Sequence, residues 1–138
     1  MKTKRKGTDF ERLIAELLNE MIKNSTWKRV PLSGSMGTIL GEPTLAGDVS
    51  GTVESIPKSF KLEAKVGYGG STQMTVKKEW FDKIKEEADR SYSIPIVAGK
   101  FSGARTGTKI FIMMDVDVFA TLLNMITELK EEQYDLED

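Results

Sequence analysis

The stretch FKLEAKV, residues 60–66, has the most regular pattern in the chain. Apolar residues at 60, 62, 64 and 66 alternate with charged residues at 61, 63 and 65. This alternation is the period of a β-strand with one apolar face and one charged face. Glu63 and Lys65 share the charged face, where their Cα atoms would lie roughly 7 Å apart. Taken alone, a Glu-x-Lys pair is typical of a solvated strand face, so its meaning depends on the neighbouring segments.

Seven further elements are predicted on either side of this strand. They are a helix that opens at Thr8 as N-cap and ends near residue 23, strands at 26–30 and 48–53, a helix at 75–90, strands at 94–101 and 109–114, and a last helix capped by Asp115 or Asp117. The order α-β-β-β-α-β-β-α predicts one α/β domain over residues 1–138, with a central five-stranded mixed sheet flanked by helices. Residues 1–6 are predicted to form a basic arm and residues 115–138 an acidic C-terminal helix, with a tail that frays after Lys130.

Two residue types are absent, and their absence excludes several kinds of chemistry. The chain has no cysteine and no histidine. Thiol nucleophiles, Cys-ligated zinc, Ser-His triads and histidine bases are therefore excluded. A hydrolytic site in this chain must use Asp, Glu, Lys, Ser or Tyr, and oxygen ligands favour Mg²⁺ or Mn²⁺.

Charge is distributed unevenly along the chain. Residues 1–114 contain nineteen Lys and Arg and thirteen Asp and Glu, a net charge of +6, whereas residues 115–138 have a net charge of −7. A basic body suits a polyanionic partner such as DNA, although solvated basic residues alone would give the same count. The basic N-terminus is followed by no apolar segment, and no run is long enough to span a membrane. We therefore expect a cytoplasmic, nucleoid-associated protein with no membrane partner.

Four residues form the candidate catalytic group, namely Glu11, Asp48, Glu63 and Lys65. Asp48 begins the strand that precedes the alternating one, where it can pair beside Glu63. Two neighbouring carboxylates repel each other unless a cation lies between them, and a divalent metal also activates water and stabilises charge on a phosphodiester. Lys65 is then placed to orient the water or neutralise developing charge. Each acid also has a simpler interpretation, because Glu11 has capping-box spacing from Thr8 and Asp48 is a common kind of turn residue.

The joint order of these residues resembles the PD-(D/E)xK nucleases and, within them, the archaeal-type Holliday junction resolvases. The resemblance covers about residues 5–114. Its matching features are KGxxFER at 6–12, RV at 29–30 ahead of SGSMG at 33–37, EAK at 63–65 and PIVAGKF at 95–101. The chain departs from the superfamily pattern in having Gly47 before Asp48, where proline is usual.

The resemblance implies a restriction-endonuclease-like core and a role for each matching residue. Asp48, Glu63, Glu11 and the backbone carbonyl of Ala64 would hold Mg²⁺, with Mn²⁺ as an alternative, and Lys65 would be the catalytic lysine. The residues expected to contact DNA are Lys6, Arg12, Arg29, Ser33 and Ser35. The resemblance also implies a homodimer that cuts a four-way DNA junction symmetrically, which suits two-fold symmetry.

Three other interpretations stay open from the sequence. The protein is a restriction-type or general nuclease on the same fold if linear duplex and junction are cut equally. It is a non-catalytic DNA-binding module if it binds junctions without cutting them. It is an interaction protein if the acidic C-terminal tail recruits a protein partner, in which case binding depends only weakly on salt.

Overall fold

The computed structural model describes residues 2–30, 48–68 and 70–137, with side chains described over 7–30, 48–68 and 70–136. In these ranges the chain forms three helices and five strands, in the predicted order. They are α1 (Lys2–Met21), β1 (Ser25–Arg29), β2 (Val49–Val53), β3 (Phe60–Val66), α2 (Lys78–Arg90), β4 (Ile94–Lys100), β5 (Ile110–Met113) and α3 (Val116–Glu137). Strand β3 therefore has the bounds that its alternation predicts.

The five strands form one mixed sheet in the order β1-β2-β3-β4-β5. Strands β1, β2 and β3 pair antiparallel, β3 and β4 pair parallel, and β4 and β5 pair antiparallel. A parallel pair requires a crossover between its strands, and helix α2 provides it. This arrangement puts β3 at the centre of the sheet and places a helix against its charged face.

The two faces of the sheet are covered by different helices. Helix α1 packs on β1 and β3, and helix α2 packs on β3 and β4. The α1 face holds the main hydrophobic cluster, to which α3 contributes Val118. The residues of that cluster are Phe10, Ile14, Ala15, Trp27, Val49, Phe60, Leu62, Ile94, Ile96, Ala98 and Val118. The α2 face buries Ile84 and Ala88 of the helix against β3 and β4.

Helix α1 begins at Lys2, so the predicted N-cap at Thr8 is wrong. Residues 2–6, which were predicted to belong to a separate basic arm, are part of this helix. Lysine and arginine are good helix formers, so the basic segment continues the helix. The helix tolerates Gly7 and Thr8 in its interior because most of its stability comes from packing its apolar face on the sheet.

Helix α3 extends to Glu137, so the prediction that the tail frays after Lys130 is also wrong. The segment from 131 is rich in Glu, Gln and Leu, which favour helix. At its other end, the amide of Asp117 donates a 2.9 Å hydrogen bond to Oδ1 of Asp115. Asp115 is thus the N-cap of the two residues predicted for that position.

None of the helices in the described ranges combines the length and the apolar character needed to cross a bilayer. The SGSMG motif at 33–37 lies outside the described residues.

Candidate active site

Asp48 is fixed at the start of β2 by three hydrogen bonds. Its amide donates to the carbonyl of Leu62, its carbonyl accepts from the amide of Val30, and its Oδ2 accepts from the amide of Ala64, each at 2.9 Å. The register of β2 with β3 ends at the pair Val49 and Leu62, and Asp48 and Glu63 both line one cavity next to it. The two predicted metal ligands therefore belong to the same side of the sheet.

Glu63 is a buried carboxylate, with only 2% of the residue exposed. Its Oε1 lies 3.3 Å from Nζ of Lys65 and 3.6 Å from Nζ of Lys83. Its Oε2 is buried and has no hydrogen-bond partner among the described residues. Burial and, next, the negative charge of Asp48 raise the pKa of Glu63, against the opposing effect of the two lysines. A buried acceptor without a partner is costly, and a bound cation would satisfy it.

Lys65 follows Glu63 on the same face of β3 and is partly exposed. Its ammonium lies 5.4 Å from the ring centroid of Trp80, in the first turn of α2. This separation is typical of a cation–π interaction. The ammonium is thus held between the Glu63 carboxylate and an aromatic ring, next to open space.

Glu11 and Arg29 form an ion pair across α1 and β1. Nε of Arg29 donates to Oε2 of Glu11 at 2.8 Å. Partial burial raises the pKa of Glu11, Asp48 raises it further, and Arg29 opposes both effects. Glu11 therefore lies near the site, as predicted, and Arg29, predicted to contact phosphate, is paired with it.

These residues open into one cavity of about 570 Å³. The residues that matter for chemistry in its wall are Glu11, Asp48, Glu63, Ala64, Lys65 and Trp80. A residue's amide and carbonyl point to the same side of a strand. Because the Ala64 amide donates to Asp48, the Ala64 carbonyl also lies on the side of β3 that faces β2 and Asp48.

The donor set fits a divalent cation only if the backbone takes part. No three acidic side chains within the described residues converge closely enough to form a metal site by themselves. Asp48, Glu63 and the Ala64 carbonyl supply oxygen donors, which hard cations prefer. The partnerless Oε2 of Glu63 is the observation that favours a cation at this position.

The structure describes only some of the residues that are predicted to bind DNA. Arg12 is exposed on α1, whereas Ser33 and Ser35 lie outside the described residues and the side chain of Lys6 is not described. The sequence interpretation missed Lys83, which contacts Glu63 from α2. The sequence signal that could have identified Lys83 is its position next to Ile84, at the edge of the apolar stripe of that helix.

Comparisons with known proteins identify a family and a fold for this chain. Residues 2–137 match the family described as "Phage putative PDDEXK endonuclease". Among solved structures, the chain is similar to Hjc of Archaeoglobus fulgidus, a Holliday junction resolvase from an archaeal hyperthermophile. The identity is 17%, the TM-score is 0.50, and the match covers 83% of this chain and 93% of that one. No curated protein matches the chain in sequence. The predicted restriction-endonuclease-like fold and the predicted PD-(D/E)xK membership are confirmed.

Proposed function

Because the chain belongs to the family of phage PDDEXK endonucleases, we propose that it is a Mg²⁺-dependent, structure-selective endonuclease that resolves four-way DNA junctions by paired phosphodiester hydrolysis. The observation that supports this most is the convergence of Asp48, Glu63 and Lys65 on one cavity, with Oε2 of Glu63 buried and without a hydrogen-bond partner in the described ranges. The basic body and the fold shared with a resolvase favour branched DNA as the substrate.

Each residue of the site has a distinct task in this proposal. Asp48, Glu63 and the Ala64 carbonyl would hold Mg²⁺, or Mn²⁺ in its place, and Glu11 would complete the site. When bound, the metal would make a water more acidic and stabilise charge on the phosphodiester. Lys65 leaves Oε1 of Glu63 to orient the attacking water or to neutralise charge that develops on the phosphate.

Five residues contact DNA in this proposal. Arg12 and Lys6 of α1, Ser33, Ser35 and, once freed from Glu11, Arg29 contact phosphates. Such contacts position the duplex without reading its sequence, so selectivity rests on the shape of the junction. In keeping with a basic DNA-binding body, we propose a cytoplasmic, nucleoid-associated location. That the acidic tail recruits a protein partner stays a prediction.

The cleavage test uses a labelled four-way junction with Mg²⁺. The wild type should nick opposite strands symmetrically, and Asp48→Asn and Glu63→Gln should lower the rate at least about 100-fold while junction binding is retained. Cleavage that persists in both variants would contradict the site. Equal cutting of linear duplex would indicate a general nuclease, and tight binding without cutting under Mg²⁺ or Mn²⁺ would indicate a non-catalytic module.

A homodimer is the proposed active form, and α3 offers a surface for it. Val116, Phe119, Leu123 and Ile126 expose between 45% and 75% of their surface. Their spacing of three, four and three residues forms one stripe along the helix, separate from the stripe that packs inward at 118, 122 and 125. An exposed apolar stripe of this kind is typical of a protein–protein contact.

The dimer is tested by light scattering on the eluted protein. The wild type should have twice the monomer mass, and Leu123→Glu should shift it to monomer and abolish symmetric nicking. Asn124→Glu adds the same charge at an exposed position off the stripe, so it should leave the dimer intact. A wild-type monomer that still nicks junctions symmetrically would contradict the dimer.

A further inference from the structure

Lys83 is a second ammonium group at the candidate metal site, and the Asp…Glu-x-Lys pattern does not include it. It lies on α2, and its Nζ is 3.6 Å from Oε1 of Glu63. Lys65 lies 3.3 Å from the same oxygen. Both lysines therefore bind one oxygen of the carboxylate, and the other, Oε2, has no hydrogen-bond partner in the part of the chain that the structure describes.

The position of Lys83 follows from how α2 packs on the charged face of the sheet. Ile84 and Ala88 of α2 are buried, which turns the neighbouring positions, Lys83 and Glu87, toward the rim of β3. Burial lowers the pKa of Lys83, but the carboxylates of Glu63, Glu87 and Asp48 outweigh this effect and raise it. Lys83 is thus a charged group held among acids, with half of its side chain exposed.

The charges on this face alternate between strand and helix. Lys61 and Glu63 of β3 lie opposite Glu87 and Lys83 of α2, since Glu87 acts on Lys61 and Lys83 acts on Glu63. Such an arrangement compensates buried charge in pairs. It gives Glu63 a permanent counterion that is distinct from the catalytic lysine.

We propose that Lys83 is a positioning residue, which holds Oε1 of Glu63 so that Oε2 is presented to the metal and Lys65 is free to move to the phosphate. The inference rests on the proposed metal-dependent cleavage at this site. Without Lys83, Lys65 is the remaining ammonium group within ion-pair distance of Glu63 in the described part of the chain, and it would be retained by the buried carboxylate.

The sign of the effect on metal affinity separates this role from simple charge compensation. Coulomb's law predicts that removing a cation beside a metal site makes Mn²⁺ bind more tightly. Loss of a group that orients a metal ligand has the opposite effect and typically weakens binding about 10-fold or more. We therefore expect weaker Mn²⁺ binding in Lys83→Met, despite the loss of a positive charge.

The experiment measures Mn²⁺ binding by calorimetry for the wild type, Lys83→Met, Lys83→Arg and Lys85→Met. Lys85 is the matched control, because it lies on the same helix and forms a 3.4 Å ion pair with Asp115, away from the cavity. We expect about 10-fold weaker binding in Lys83→Met, partial restoration in Lys83→Arg and wild-type affinity in Lys85→Met. Junction cleavage at saturating Mn²⁺ should be slower in Lys83→Met alone.

Unchanged or tighter Mn²⁺ binding in Lys83→Met would overturn the positioning role. If Lys83→Met does not fold, Lys83→Gln takes its place, because it also removes the charge and should weaken Mn²⁺ binding in the same way. Failure of the proposed function is distinguishable, since it would appear as wild-type protein whose Mn²⁺ binding is insensitive to Asp48→Asn.

Discussion

The two faces of β3 are equally buried but differ in what they contribute. On the α1 face, Phe60 and Leu62 are 8% and 0% exposed, and on the α2 face, Lys61 and Glu63 are 4% and 2% exposed. Burial of apolar groups stabilises the fold. Burial of charged groups costs free energy that ion pairs only partly offset. One face of the same strand therefore holds the domain together, and the other buries charged groups of the candidate site at a cost in stability, a cost that functional sites commonly carry.

The largest effect on stability is expected at Leu62, on the apolar face. Leu62 is fully buried in the main cluster. Leu62→Ala should lower the free energy of unfolding by about 2–5 kcal/mol, because it removes apolar contacts and leaves a cavity. Urea denaturation measures this value. A loss below about 1 kcal/mol would show that the apolar face is not the stabilising one.

A smaller effect on stability is expected at Gly51, where the absence of a side chain leaves room for the ring of Trp27. Gly51 pairs with Trp27 on one side and Phe60 on the other, and the two aromatic centroids lie 5.4 Å apart across it. A Cβ at Gly51 would overlap the indole of Trp27. Gly51→Ala should therefore lower the free energy of unfolding by about 1–3 kcal/mol.

Thermal denaturation compares Gly51→Ala with Thr52→Ala, a truncation at the exposed neighbouring position. Thr52→Ala should change stability by less than about 0.5 kcal/mol. Equal stability of the two variants would mean that Trp27 does not need the space above Gly51.

The smallest effect, and one of opposite sign, is expected at Lys61 on the charged face. Its ammonium donates to Oγ of Ser50 at 3.0 Å, and burial lowers its pKa in spite of the nearby Glu87. The folded protein thus binds this proton less tightly than the unfolded chain. Lys61→Met should leave stability at neutral pH unchanged or raise it by up to about 1 kcal/mol.

The pH dependence gives a sharper test of the same residue. A lowered pKa in the folded state means that wild-type stability relative to Lys61→Met rises as pH increases through that pKa toward the ordinary value of about 10.4. A Lys61→Met variant that is less stable at neutral pH by more than about 2 kcal/mol would show that the ammonium stabilises the fold.

Much of the architecture could be predicted because it follows from local periodicity. The alternation in residues 60–66 gives β3, and the short separation of β2 from β3 makes antiparallel pairing of these two strands the expected arrangement. The burial of the charged face was not predicted by the alternation itself, which is typical of a strand with one solvated face. The β3–α2–β4 crossover places a helix above this face, so Glu63 is buried while Lys65 stays partly exposed.

Contacts between distant segments account for the features that the sequence did not reveal. Lys83 meets Glu63, and Arg29 meets Glu11, through packing between different elements, and no local period records such pairs. The start of α1 at Lys2 was missed because Thr8 and Glu11 have the spacing of a capping box, while the basic residues before them are themselves helix formers.

The most direct test of the central claim is to locate bound Mn²⁺ by paramagnetic broadening of backbone amide resonances. The chain offers two acidic regions, the site formed by Asp48 and Glu63 and the acidic helix α3. We predict that the amides of Ala64 and Lys65 broaden first, at low Mn²⁺ concentration, and that Glu63→Gln removes this effect. Broadening confined to residues 116–137, with Ala64 and Lys65 unaffected, would contradict a metal centre on the charged face of the sheet.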